Sequence, residues 1–222
     1  SGFGWNTEKN PKGIRTLDEL FAPQNKGKIV VLSEMRDTIG IILRSQGVDL
    51  QTVTEDQFMN AVDFMAKKIA DGWIRGVKGN EYAEDLTSGD ATAVIGWSGD
   101  MFILKAENEG KFDFALPDSG GTISGDNFVI PSTASAEGKA NAEKLINFYY
   151  DPAIAAEVAA YVNYVCPVKG AQAEMEKIDP ALAASPFIFP DAALEAQLNV
   201  FAGLSEEDEI YMNDAYSALQ GN

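Results

Sequence analysis

The pattern of apolar and polar positions divides this chain into a first stretch that alternates strand and helix and a later one that is almost all helix. Ile29-Val30-Val31-Leu32 is a continuous apolar run behind Lys26-Gly27-Lys28, which predicts a strand buried on both faces. Ala91-Thr92-Ala93-Val94-Ile95, small and β-branched, predicts a second. It ends at Gly96-Trp97-Ser98-Gly99-Asp100, a glycine turn ahead of the helical run from Met101 to Ala106. Phe112–Leu116 predicts another strand, Phe128-Val129-Ile130 closed by Pro131 one more, and Phe3–Asn6 a short extended segment. Between them lie helix signals. Thr16-Leu17-Asp18-Glu19 is a capping box opening a short helix through Phe21, and Thr54-Glu55-Asp56-Gln57 is another. Behind the second box Phe58, Val62, Met65 and Ile69 recur at helical spacing and form one buried stripe. Ser33–Asp37 reads as a loop, Thr38–Ser45 as a helix ended by Gly47, and 80–86 as a short helix capped by Asn80.

After Pro131 strands almost vanish. Helices are expected over 136–150, with Ala142, Leu145, Ile146 and Tyr149 on one side, and from the Asp151-Pro152 cap to about Tyr161. Residues 163–167 read as extended or a turn. Further helices are expected over 172–176, 192–199 and 206–219, the last with Glu206, Glu207 and Asp208 at its dipole-favoured N-terminal end. The alternating part predicts a doubly wound α/β lobe. The helical part has apolar faces but no sheet of its own to cover. Its missing strands are therefore expected from roughly one small domain's worth of residues ahead of Ser1.

Composition narrows the chemistry. Among 222 residues, 17 Lys and Arg face 34 Asp and Glu, a net charge of −17. That balance argues against nucleic acid and anionic membrane as partners and favours cations. With no histidine, His-dependent triads, His metal sites and imidazole acid–base catalysis are excluded. The single Cys166 allows no internal disulfide and no Cys-rich zinc site, and is expected to be structural. No segment has the length and apolarity of a membrane span. No cofactor or metal is expected.

The candidate chemistry sits at the end of the 91–96 strand, where Trp97 and Asp100 present an indole and a carboxylate. Open α/β sheets bind ligands at the carboxyl ends of their strands. An aromatic face beside a carboxylate suits an organic cation. The alternative is a packed Trp97 and an Asp100 that caps the next helix. Asp37 is likewise read either as an acceptor or as the cap of the helix from Thr38, and Asp126 either as an acceptor or as the residue that holds its turn. An enzyme using paired carboxylates such as Asp100 and Asp126 is the less favoured class, because neither acid has an evident nucleophile or metal beside it.

Four stretches in order carry a resemblance. They are 79–100 (GNEYAEDLTSGDATAVIGWSGD); Thr16–Phe21 with Lys26–Ile29; Gly125–Pro131; and Phe148–Pro152. With these the chain resembles the polyamine-binding proteins of bacterial ABC importers, of the putrescine/spermidine type. The resemblance implies a periplasmic-binding-protein-like α/β fold: one nearly complete doubly wound lobe plus the C-terminal, mostly helical part of the other. It implies residues 1–9 as a crossing strand and 10–125 as the second lobe. Residues 126–204 would be the C-terminal part of the first lobe, and 205–222 a terminal helix returning to the second. Trp97 then matches the aromatic that stacks on the alkyl-ammonium chain, and Asp100 and Asp126 match acids that bind amines. Asp37 lies where the family has a Glu, and Tyr164 matches an aromatic of the other lobe's wall. Ser124 departs from an aromatic two residues before the crossing acid. Arg36, beside Asp37, suits a ligand carboxylate, so a γ-amino acid is the alternative ligand. The implied function is an extracytoplasmic, periplasmic or membrane-tethered receptor that hands a small cationic amine to an ABC permease without catalysis. A truncated half-receptor with little binding, self-associating or exchanging domains with a second copy, is the other alternative.

Overall fold

The computed structural model describes residues 1–220. Unit 1 comprises 1–124 together with the chain from 197 onward, and unit 2 comprises 125–196.

In unit 1 the elements run β1 (Gly2–Asn6), α1 (Leu17–Leu20), β2 (Ile29–Leu32), α2 (Met35–Ser45), α3 (Glu55–Ala70), β3 (Ile74–Lys78), α4 (Tyr82–Ser88), β4 (Ala93–Gly96), α5 (Ser98–Glu107), β5 (Phe112–Ala115) and β6 (Gly121–Thr122). Unit 2 follows with α6 (Ala136–Tyr149), α7 (Pro152–Val162), α8 (Ala171–Ile178), α9 (Pro180–Ala183) and α10 (Ala192–Glu195). The chain then returns to unit 1 with β7 (Leu198–Asn199) and α11 (Glu206–Ser217).

The main sheet of unit 1 has the order β3-β2-β4-β1-β5. β2 runs parallel to both β3 and β4, whereas β1 is antiparallel to β4 and β5. β1, β2 and β4 bury every residue, which is why their sequences read as unbroken apolar or glycine-interrupted runs. Helix α3 buries Phe58, Val62 and Met65 from its stripe, with Ile69 half-buried. Both capping boxes form: the Glu19 amide donates to Thr16 Oγ1, and the Gln57 amide to Thr54 Oγ1.

Four expectations are corrected, and one strand, β3, went unread. The helix read from Thr38 begins at Met35, with Glu34 in the N-cap position, so Asp37 lies inside its first turn and caps nothing. The short helix expected from an Asn80 cap starts at Tyr82 with Glu81 before it. Strand β3 was masked by its charges. Lys78 Nζ lies 2.6 Å from Asp85 and Arg75 3.1 Å from Asp90, so an edge position accommodates a sequence that alternation alone does not reveal. Phe128–Ile130 has no ladder: no strand among the described residues pairs with it, and Phe128 and Val129 stay exposed. Finally, the helix expected over 192–199 stops at Glu195. Leu198–Asn199 instead pairs in parallel with β6, which assigns 197–204 to unit 1 rather than to the helical part. Gly120 makes that pairing possible. Its φ of +92° is left-handed, and a Cβ there would lie 2.8 Å from the Gln197 carbonyl oxygen.

Unit 2 is built from small residues. Its core gathers Ala155, Ala156 and Ala159 of α7 with Val168, Met175 and Ile188. Asp151 caps α7 by accepting from the Ala153 amide at 2.9 Å, with Pro152 in the first turn. Cys166 is half-buried against this core. α6 buries none of its residues, and Leu145, on its expected apolar side, is 69% exposed.

Candidate functional site

Three parallel strands, β3, β2 and β4, deliver their carboxyl ends to one edge of the sheet in unit 1. The chain leaving each carries polar groups: Asn80 and Tyr82 after β3, Arg36 and Asp37 after β2, and Trp97 and Asp100 after β4. Parallel pairing thus brings together residues up to 60 positions apart in sequence.

Asp37 is buried, with 6% of its surface exposed. Its two oxygens are both engaged: Trp97 Nε1 donates to Oδ2 at 2.9 Å and Thr122 Oγ1 to Oδ1 at 3.0 Å. Both donors are neutral, and together they satisfy one lone pair on each carboxylate oxygen. The same bonds fix the Trp97 ring about its own axis. Trp97 occupies the position before α5, and Asp100 lies in the first turn of that helix, where the dipole favours a carboxylate.

Tyr82 joins these residues. Its side chain is fully buried. Its hydroxyl donates to Asp100 Oδ2 at 3.0 Å and accepts from the Trp97 amide at 3.1 Å, and its ring lies 6.1 Å from the Trp97 ring at 58°. Asn80 Nδ2 donates to the same Asp100 oxygen at 3.3 Å. Close packing here depends on Gly96, since a Cβ at that position would sit 3.2 Å from the Tyr82 ring.

Arg36 turns to the C-terminal helix, donating from Nη1 to Glu209 Oε1 at 2.9 Å and from Nη2 to Oε2. That bidentate pair raises the pKa of Arg36, and the hydrogen bond from Arg36 lowers that of Glu209. Asp126 and Tyr164 belong to unit 2. Asp126 is exposed in the extended stretch after Ile123, and Tyr164 is half-buried just past α7. Sequence reading missed Tyr82, Asn80, Thr122 and Glu209 as partners. The first two were hidden because β3, which aims them, was not recognised. The others act over 85 and 173 residues of separation, with no local sign of it. Among the described residues no group of acids, Cys or His is arranged to hold a metal ion, and no helix is long and apolar enough to cross a membrane.

Residues 1–186 match the family model for bacterial extracellular solute-binding proteins. The spermidine/putrescine-binding periplasmic protein of Escherichia coli K12 is 26% identical over 206 residues, covering 91% of this chain and 57% of that relative. A putrescine/cadaverine-binding protein of Pseudomonas aeruginosa is 25% identical over 98% of this chain and 63% of its own length. The chain therefore spans about three-fifths of these relatives. Among solved structures, a Listeria monocytogenes protein assigned to spermidine/putrescine ABC transport superposes with a TM-score of 0.85 at 26% identity, over 98% of this chain and 65% of that one. The substrate-binding protein PotD of Streptococcus pneumoniae superposes with a TM-score of 0.76 at 21% identity, over 99% and 66%. The fold is thus that of the periplasmic binding proteins.

Proposed function

The chain belongs to the bacterial extracellular solute-binding proteins, and on that premise we propose that it binds a small aliphatic amine of the putrescine or spermidine class outside the cytoplasm and releases it unchanged to an ABC permease. The observation that carries this reading is the pairing of one indole with two carboxylates, Asp37 and Asp100, at the carboxyl ends of adjacent parallel strands. A methylene chain gains contact with the Trp97 face, and its ammonium group gains cation–π attraction and nearby negative charge. The relatives named for putrescine and spermidine support the same ligand class.

In this reading Trp97 is the stacking wall. Asp100 receives one ammonium group directly. Asp37, with both oxygens already committed, contributes charge and holds the ring. Asp126 and Tyr164, both in unit 2, are carried as a second acid and a second aromatic on the family resemblance alone. The pairing of Arg36 with Glu209 weighs against a γ-amino acid, because a ligand carboxylate would have to displace an existing bidentate partner. The matching family model, that of solute-binding proteins, supports a binding role over an enzymatic one.

Titration calorimetry of the full-length protein against putrescine, spermidine and γ-aminobutyrate tests this. The diamine and triamine are expected to bind, and Asp100→Asn and Asp126→Asn each to weaken them at least tenfold, the scale of one charge-assisted hydrogen bond. Equal affinity in both variants would refute the site, and preference for γ-aminobutyrate would refute the ligand class.

A further inference from the structure

We infer that Tyr82 is a positioning residue for the amine site, the phenol that locks Trp97 and Asp100 into one rigid unit. The inference rests on the function proposed above. Three observations carry it. A single oxygen atom meets both groups, accepting from the Trp97 backbone amide at 3.1 Å and donating to Asp100 Oδ2 at 3.0 Å. The Trp97 carbonyl oxygen, at 3.4 Å, competes for the same hydroxyl hydrogen and loses it to the nearer, charged acceptor. Second, the ring is fully buried and wedged against Gly96, where even a methyl group would crowd it, so the hydroxyl cannot swing away. Third, the Trp97 amide stands at the very start of α5, where no intrahelical acceptor exists for it. Tyr82 supplies the acceptor from outside the helix.

The consequence is preorganisation. A carboxylate on a first helical turn ordinarily samples several rotamers, and a ligand that needs one of them must stabilise it at the expense of affinity. Here the hydroxyl and the Asn80 amide both fix Asp100 Oδ2 before any ligand arrives. The same hydroxyl sets the backbone of Trp97, while Asp37 sets its indole. The stacking wall and the charge therefore keep a constant separation, which selects amines by the distance from their cationic head to the methylene chain.

The test is a double-mutant cycle of Tyr82→Phe and Asp100→Asn in the full-length protein, with putrescine as the probe. Tyr82→Phe keeps the ring and removes only the hydroxyl. Alone it is expected to weaken putrescine roughly tenfold. In the Asp100→Asn background it is expected to cost less affinity than it does alone, because the part of its action that runs through that carboxylate is already gone. In the ligand-free protein the Trp97 amide should exchange with solvent faster in the Tyr82→Phe variant, a readout independent of binding. If Tyr82→Phe binds as wild type does, loses the same factor in both backgrounds, or leaves Trp97 amide exchange unaltered, the positioning role is overturned and the amine receptor stands. If wild type itself binds no amine, the receptor reading falls, and the ligand role of Tyr82 with it.

Discussion

At the scale of single residues the site is governed by the cost of burying charge. Asp37 keeps its carboxylate inside unit 1 because an indole N–H and a threonine hydroxyl each spend a hydrogen bond on it. Removing one donor leaves a buried acceptor unsatisfied, a loss of about 1–3 kcal/mol. Trp97→Phe, which retains an aromatic face, is therefore expected to lower unfolding free energy by that amount in urea denaturation. It should also weaken amine binding. Asp37→Asn in the Trp97→Phe background should recover part of the lost stability, because a neutral amide is cheaper to bury than a carboxylate with one donor missing. Equal stability of Trp97→Phe and wild type would show that the indole N–H is not holding the acid. Gly96 sets a different constraint. An added methyl would stand 3.1 Å from Val94 and 3.2 Å from the Tyr82 ring, so Gly96→Ala is expected to cost about 1–3 kcal/mol by overpacking. That cost reads out as a lower thermal midpoint. Local sequence exposed Trp97, Asp100 and Asp37 as candidates because each sits at the end of a legible strand or the start of a legible helix. It could not expose Thr122 or Tyr82 as their partners, since hydrogen bonds across the fold leave no periodicity.

At the scale of elements, the C-terminal helix α11 fastens the first turn of α2, which carries Arg36 and Asp37. It packs on α2 and α3. Its Tyr216 hydroxyl donates to the Leu32 carbonyl oxygen at the end of β2, and its Glu209 pairs with Arg36. Burial pushes the Tyr216 phenol well above its usual pKa, so this bond persists across any ordinary pH. Glu209 behaves otherwise. Its hydrogen bond from Arg36 lowers its folded-state pKa. The stabilisation is therefore complete above the unfolded glutamate value of about 4.3 and is lost as pH falls through the lower folded value. Glu209→Gln should lower the thermal midpoint at neutral pH and narrow its gap to wild type as the pH approaches 3. A constant gap from pH 7 to pH 3 would mean that the ion pair contributes nothing. What the sequence made legible at this scale followed from local chemistry: two capping boxes, the α3 stripe, the Asp151-Pro152 start of α7 and the acidic start of α11 all formed. What it hid depended on pairing. β3 is a strand because β2 lies beside it, Leu198–Asn199 because β6 does, and Phe128–Ile130 has no such neighbour among the described residues.

At the scale of the whole chain, the two units differ in how they are held. Unit 1 wraps helices around a five-stranded sheet whose central strands are wholly buried. Unit 2 has no sheet among the described residues. Its alanine-rich core buries little side-chain area, and α6 adds to it only half-buried residues such as Tyr149, while Leu145, Phe148 and Tyr161 remain exposed. A helix of this length is marginal in water unless a buried face holds it, and α6 is held by its Ser135 cap, its contacts with α7 and the half-buried Tyr149, which packs against the unit 2 core and the Phe128 ring. Local opening free energy follows the amount of apolar contact that must be broken. Hydrogen exchange of this chain should therefore grade sharply. Amides of β1, β2 and β4 are expected to exchange only through global unfolding. Those of α7 and α8 should exchange through a cheaper opening of unit 2, and those of α6 should be the least protected of the long helices. The exposed apolar residues of α6 make a second measurement available. Replacing Leu145 and Phe148 with Glu should leave the exchange of unit 1 unaltered and reduce binding of a dye such as ANS, whereas the same change at Leu20 and Phe58, both fully buried in unit 1, should unfold the sheet. If α6 amides prove as slow as those of β1, some surface covers that helix in solution. Leu145→Glu should then be costly rather than neutral, which separates a covered face from a bare one.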